Sequence, residues 1–275
     1  MTKITDSAYR LPVIEALSAS ELFDQGTTKP LAIWGVDKET GERGQYVVKF
    51  KNSGRMSITS SAFELIGTWM AKELDLPVVE PVLVHISSEF TETALKGKEG
   101  YRSALQSQGL NFGSKYISGY SNIPDSPLVL PNGLEKTIEL VFVFDMFIAN
   151  TDRGHQKPNV SSNGSQLLIY DHELAFSFLS LITFARNKTP WILTDTDKEL
   201  YKNHIYYNWL KERKPDLTEP VMQLGCFNSD FWTSVYSFLP KEWQTDQVLE
   251  IEPYLSGIIE NLPYFAESLN KTISE

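Results

Sequence analysis

Cysteine is nearly missing from this chain, with Cys226 alone among 275 residues. One thiol allows no intrachain disulfide and no cysteine-based zinc site, which suits a reducing compartment and points to the cytoplasm. Histidine is scarce as well, 4 in all, and scattered, against a histidine-rich metal centre. No apolar signal core opens the N-terminus. The two longest apolar runs, 140–149 (LVFVFDMFIA) and 174–185 (LAFSFLSLITFA), fall short of the roughly 18 residues of a membrane span. The first also carries Asp145, so both are expected in a core and no membrane partner is expected. In a reducing compartment the three Asn-x-Ser/Thr triplets at Asn163, Asn187 and Asn270 are chance matches. Basic residues are the minority, 25 Lys and Arg against 35 Asp and Glu, for a net charge of -10. Nucleic-acid binding needs clustered Lys and Arg, so general binding of that kind is not expected. Motifs are missing too: no GxxxxGK[ST], GxGxxG or GxSxG, and His172-Glu173 is followed by Phe176 where HExxH needs a second histidine.

What is present is a globular composition, 41% apolar and rich in aromatics (15 Phe, 12 Tyr, 6 Trp), with length for one large domain or two unequal lobes. Segments 30–36 (PLAIWGV) and 45–51 (QYVVKFK) read as strands joined by a polar, glycine-bearing turn. Over 58–76 the period becomes helical, with Phe63, Ile66, Met70 and Leu74 on one face and Pro77 as the stop. Segment 78–86 (VVEPVLVHI) reads as a further strand, placed at an edge by Pro81. Residues 87–136 have the composition of loops. A dense apolar helix is predicted near 137–149, a short strand at 165–170, and helices from about 196. One of these helices carries Val248, Ile251, Leu255, Ile258 and Leu262. Strands first and helices later predict an α+β chain with a small β-rich lobe, 1–86, and a larger helical lobe, 87–275.

Between the apolar helix and the short strand lies a polar cluster, Asn150, Asp152, Arg153, His155 and Asn159, with Asp171 at the strand's end. Loops leaving a buried core are a usual place for catalysis, and an Asp/Asn/Asp oxygen set suits Mg²⁺. The same residues also suit an Asx-turn that caps a helix. In the first part of the chain Lys49 sits in the strand YVVKF and Glu64 on the following helix. A lysine that holds nucleotide phosphates needs a rigid strand beneath it and a carboxylate to aim it, although Lys49 also fits a solvated edge position. Gly26, Thr27 and Thr28, ahead of the strand at 30–36, offer backbone N–H groups and hydroxyls to phosphate.

In order, these features are a glycine loop, strand Lys, helix Glu, Asp/Asn loop, strand and Asp, the layout of protein kinases without their HRD and DFG wording. The stretches YVVKF, ELIGTWMAKELDLPVVEPVLV, FDMFIANTDRGHQKPNV and LLIYDHELAF resemble the bacterial HipA-like kinases, in particular the shorter HipA-like kinase domain family. The resemblance spans about residues 12–180 and is most specific in NTDR…PN and YDHELAF. It implies a protein-kinase-like bilobal fold and an ATP- and Mg²⁺-dependent kinase acting on a Ser or Thr hydroxyl of a protein. Asp152 is then the base, Asn159 and Asp171 the metal ligands, and Lys49 the α/β-phosphate contact paired with Glu64. Gly26 to Thr28 cover the phosphates, and Val84, His85 and Ile86 form the hinge that receives adenine. His172 has a structural role. Two departures stand out: Asp152 and Asn159 are seven apart where the ordinary kinase loop has five, and Glu173 stands where many relatives have glycine. The resemblance does not reach the extra N-terminal subdomain of full HipA toxins, so it implies no DNA-binding antitoxin partner. A small-molecule or lipid kinase, or a pseudokinase that binds nucleotide as a regulatory module, are the alternative readings.

Overall fold

The computed structural model describes residues 2–23, 28–54, 56–123, 133–180 and 186–275. Its N-terminal part is a closed five-stranded barrel in the order β1-β2-β3-β5-β4. The strands are β1 (Val13–Leu22), β2 (Leu31–Asp37), β3 (Arg43–Lys49), β4 (Pro81–Ile86) and β5 (Gly109–Lys115). β1 was not legible in the sequence, whose Ala-, Leu- and Glu-bearing VIEALSASEL lacks clean alternation. It pairs with β2 through two register shifts, between Ala16 and Ser18 and between Ala19 and Glu21. The parallel pairing of β1 with β4 closes the barrel, so β4 lies between β1 and β5 and is not an edge. Pro81 is tolerated because it is the first residue of its strand.

Helix α1 (Ile58–Glu73) crosses from β3 to β4. The Ser57 side chain caps its start by accepting from the Ser60 N–H at 3.0 Å. The helix ends before Pro77 is reached. Asp75 adopts a left-handed conformation (φ 56), its N–H donates to the Lys72 carbonyl, and the Leu76 N–H donates to the Ala71 carbonyl. This is a Schellman-type stop made without glycine.

The region 87–123, expected to be mostly loop, holds α2 (Ser88–Phe90) running into a π-helical turn at Thr91–Leu95, then α3 (Tyr101–Gln106), β5 and the short β6 (Ser121–Asn122). β5 pairs with both β3 and β4, and α1 packs into the larger, mostly helical core with Leu65, Ile66, Trp69 and Met70. Neither the sheet nor the core therefore divides at residue 86. A smaller core, including Ile14, Ile33, Val48, Val84 and Ile86, fills the barrel.

The helical part begins with α4 (Glu135–Phe147), followed by the ribbon β6-β7-β8, in which β7 is Val160–Ser162 and β8 is Leu167–Ile169. Among the described residues the α-helices that follow are α5 (Asp195–Tyr201), α6 (Tyr207–Arg213), α7 (Thr218–Met222), α8 (Ser229–Phe238), α9 (Asp246–Leu249), α10 (Ile251–Ile259) and α11 (Leu262–Ser274). The single late helix expected over 248–262 is thus three. Its apolar residues are buried as expected, and Pro253 sits in the first turn of α10, where no N–H is missed. No helix among the described residues is long and apolar enough to cross a membrane.

Strand alternation in the barrel decides which side chains reach its outer face. Tyr46 and Val48 of β3 point into the barrel core, whereas Val47 and Lys49 face a cleft outside it. Cross-strand partners share a face, so Ser114, opposite Val47, and Phe112, opposite Lys49, join them there. Gly113 lies between two strands, where a Cβ would come within 2.6 Å of Val84 Cγ2 and 2.8 Å of the Val47 carbonyl oxygen. Gly113→Ala is expected to cost about 1–3 kcal/mol, because a backbone atom cannot step aside. Urea denaturation measures it, and an unchanged midpoint would contradict this packing.

Candidate active site

Lys49 ends β3 with its ammonium among three carboxylates: Asp171 Oδ1 at 2.7 Å, Glu64 Oε1 at 3.2 Å and Glu173 Oε2 at 3.5 Å. Glu64 projects from the buried face of α1, and Asp171 and Glu173 from the segment after β8. Burial would lower the Lys49 pKa, but Asp171, Glu64 and Glu173 overrule it and hold the lysine above its ordinary value. Glu64 is pushed up to about 7 by burial, with Lys49 opposing. Burial also raises Glu173, again against Lys49. Asp171 goes the other way. Burial would raise it, yet Lys49 and Lys157 hold it below the usual carboxylate range. One oxygen of Glu64, Oε2, is buried with no hydrogen-bond partner.

The loop after α4 supplies the facing side. The Asp152 N–H donates to Asn150 Oδ1 at 3.2 Å, so the expected Asx-turn is present. It coexists with a polar site. Asn159 Nδ2 donates to Asp152 Oδ2 at 3.0 Å, and Lys157 Nζ lies 2.8 Å from Asp171 Oδ2 and 3.6 Å from Asp152 Oδ2. Asn159 and Asp171 both have positive φ (49 and 66), a region that Asn and Asp tolerate better than other side chains.

Beneath the loop Arg153 is buried. Its Nε donates to Asp145 Oδ2 at 2.5 Å, Nη1 to the carbonyls of Asn159 (2.7 Å) and Tyr170 (3.3 Å), and Nη2 to His172 Nε2 at 3.2 Å. Asp145 also accepts from Asn150 Nδ2 at 2.8 Å and contacts His204 Nε2 at 3.0 Å. Burial would raise the Asp145 carboxyl, but the Arg153 charge and His204 hold it well below the usual range. Accepting from a guanidinium requires His172 Nε2 to be unprotonated. Burial, then the nearby Arg153 charge, pushes the imidazole down to about 3. The long Asp152–Asn159 spacing is accommodated by a brace: the Arg153 carbonyl accepts from the Ile205 N–H at 3.0 Å, and Gly154 bridges to His204. A Cβ on Gly154 would meet Asn203 Nδ2 at 2.6 Å.

A cavity of about 530 Å³ opens between the barrel and this loop. Lys49, Glu64, Lys157, Asn159 and Asp171 line one end, and Val47, Phe112 and Leu168 give apolar walls further along. Asp152 stands beside the cavity through its bond to Asn159. Thr28 is buried and lines it, whereas Gly26 and Thr27 lie outside the described residues. The expected hinge at Val84, His85 and Ile86 is not there. Val84 and Ile86 fill the barrel core, and His85 Nδ1 pairs with Glu15. The segment from Ser114 to Ile117, at and after the end of β5, lines the cavity instead, because β5 separates β4 from β3. The donors at the polar end are hard oxygens, and ligand atoms of Glu64, Asp171 and Glu173 lie within 4.8 Å of one another. The Lys49 ammonium sits among those three carboxylates, so a hard divalent cation such as Mg²⁺ fits at the other oxygen of Asp171, with Asn159 as a further oxygen donor.

Lys157, Glu173, Asp145 and His204 belong to this constellation without having been singled out as site residues in the sequence. The motif does contain Lys157 and Asp145, but their roles depend on a fold that brings 145, 153, 171 and 204 together.

A family model described as HipA-like kinase matches residues 18–264. Among solved structures, the crystal structure of a Helicobacter pylori proinflammatory kinase, CtkA, superposes with a TM-score of 0.50 at 12% identity. The match covers 95% of this chain and 98% of that one, a likeness of fold. No curated protein sequence matches significantly.

The buried network carries two expected outcomes. Asp145→Asn leaves the Arg153 charge unpaired and is expected to cost about 3–5 kcal/mol in denaturant unfolding, whereas a loss below about 1 kcal/mol would contradict the pairing. His172 has its folded pKa below the ordinary 6.5, so unfolded protein takes up the proton first and stability falls as pH drops from 6.5 toward about 3. The slope from this one group approaches about 1.4 kcal/mol per pH unit. The destabilisation caused by His172→Gln, measured near pH ~7 and near pH ~5, is therefore expected to shrink at the lower pH. A constant difference would rule out a neutral buried His172.

Proposed function

The chain belongs to the HipA-like kinase family, and from that premise we propose that it is an ATP- and Mg²⁺-dependent phosphotransferase whose acceptor is a Ser or Thr hydroxyl of a protein. The observation that carries this reading is the convergence of Lys49, Glu64 and Asp171 on one ammonium-centred cluster at the end of a cavity that Asn159 also lines. On this reading the chain has the bilobal arrangement of protein kinases, with the barrel and α1 above the cleft and the helices below.

Nucleotide enters with its base between Val47 and Leu168 and against the backbone of the segment around Lys115 to Ile117. Lys49, steadied by Glu64, pairs with the phosphates. Asp171 and Asn159 would hold Mg²⁺, which when bound neutralises charge on the phosphate oxygens. Asp152, fixed by Asn159 Nδ2, orients the acceptor hydroxyl and takes its proton. The rest of the rate comes from positioning and charge, because the phosphoryl group itself needs little covalent help.

A second reading is favoured by Glu173. A third carboxylate on Lys49 competes with phosphate for that lysine, as expected of a nucleotide-binding regulatory module with little turnover. Asp152→Asn and Asp171→Asn are each expected to lower phosphoryl transfer by at least about 100-fold, read as autophosphorylation or ATP turnover, in protein that remains folded. Full activity in either variant would overturn the kinase reading. A wild-type chain stabilised by ATP only when Mg²⁺ is present, yet without turnover, would favour the regulatory one.

A further inference from the structure

We propose that Lys157 is a resident cation: it occupies the place between Asp152 and Asp171 that a divalent ion takes during the reaction, and it must leave Asp171 for that ion to bind. The inference rests on the kinase reading for the identity of the ion, and on geometry for the competition.

Both oxygens of Asp171 are already taken by ammonium groups. Oδ1 accepts from Lys49 at 2.7 Å and Oδ2 from Lys157 at 2.8 Å. The Lys157 ammonium also reaches Asp152 Oδ2 at 3.6 Å, so it stands between the two aspartates. A divalent ion bound to Asp171 needs one of those oxygens. The two lysines are not equally held. Lys49 is 10% exposed at its side chain, is seated in a strand and has three carboxylate partners. Lys157 is 42% exposed, lies in the loop before Asn159 and has two. Removing Lys49 would expose three buried carboxylates to one another, whereas Lys157 can swing toward solvent at little cost. Lys157 is the one that yields.

Charge gives the displacement its direction. Asp152, Asp171, Glu64 and Glu173 are formally matched by only two ammonium groups, so the cluster attracts a further cation, and Lys157 repels it from the same place. Without nucleotide, an incoming ion gains Asp171 but leaves Lys157 unpaired. With nucleotide, the phosphates give the released ammonium a new partner. The resident lysine thus weakens metal binding alone and makes metal and nucleotide bind cooperatively, a coupling that is reciprocal.

Mn²⁺ binding to the nucleotide-free protein, followed by electron paramagnetic resonance or calorimetry, tests this without any turnover. Lys157→Met is expected to tighten the Mn²⁺ Kd at least tenfold, and Lys157→Arg, which keeps the charge, to leave it within about threefold of wild type. In Lys157→Met the gain in Mn²⁺ affinity on adding a non-hydrolysable ATP analogue is expected to shrink. Asp171→Asn should remove the tight binding from Lys157→Met, which places it at this site. An unchanged or weaker Kd in Lys157→Met, or equal tightening by Lys157→Arg, overturns the proposal, as does the absence of Mn²⁺ binding from every variant. Lys157→Gln, the same length with no charge, repeats the test should the methionine variant fold poorly. Loss of the kinase reading would appear separately, as full phosphoryl transfer in Asp171→Asn.

Discussion

The Arg153 guanidinium lies beneath the cleft, buried, and a charge taken out of water must be paired and its N–H groups must find acceptors. Asp145 supplies the charge, but a guanidinium donates in more directions than one carboxylate can fill, and the surplus goes to the Asn159 and Tyr170 carbonyls and to His172. Those acceptors belong to two different loops, one ending at Asn159 and the other carrying Asp171. A single side chain therefore sets the separation of the two loops that face the cavity. This also explains a buried aspartate in the last turn of α4, among apolar neighbours, where an unpaired carboxylate would be prohibitive.

Much of the polar site was legible as sequence because its residues are local to motifs. Lys49 alternates with Tyr46 and Val48 in a recognisable strand, Glu64 lies on a helix with a clear period, and Asp152, Asn159 and Asp171 sit in one 20-residue run, 152–171. The part of the cavity lined by Ser114 to Ile117 was not legible, and β5 is the reason. Its sequence, GLNFGSK, has two glycines and three small or polar residues, so it lacks the β-branched alternation that marks a strand. Without β5, β4 reads as the last strand before the cleft and Val84 to Ile86 as its lip. The barrel hides those residues because small side chains in β5 let it pack closely against its neighbours. The division at 86 fails for the same reason. The late helix was misread differently: its apolar period persists through breaks at Glu250 and Glu260–Asn261, so pattern alone does not see the turns.

The long Asp152–Asn159 loop and Glu173 have separate physical consequences. The longer Asp152–Asn159 loop does not pull its ends apart, since Asn159 still donates to Asp152 at 3.0 Å. The extra length is taken up at Arg153 and Gly154, where the segment 203–205 braces the loop and Gly154 leaves room for Asn203. An insertion that is absorbed on the far side of the loop leaves the near side in register.

Glu173 acts on charge. A glycine there would leave Lys49 with Glu64 and Asp171, a pair of carboxylates for one ammonium; the third carboxylate adds a negative charge that burial makes costly, and both Glu64 and Glu173 are raised accordingly. Such a cluster is more stable with more positive charge nearby, and Lys157 provides it on the opposite side of Asp171. The two features belong together. The carboxylate on one flank of Asp171 makes a cation on the other flank favourable, and in the proposed exchange that cation yields to a divalent ion and finds a new partner in phosphate. The resting site is therefore neither empty nor inert, and Lys157 gives its electrostatics the direction in which binding of nucleotide would move them.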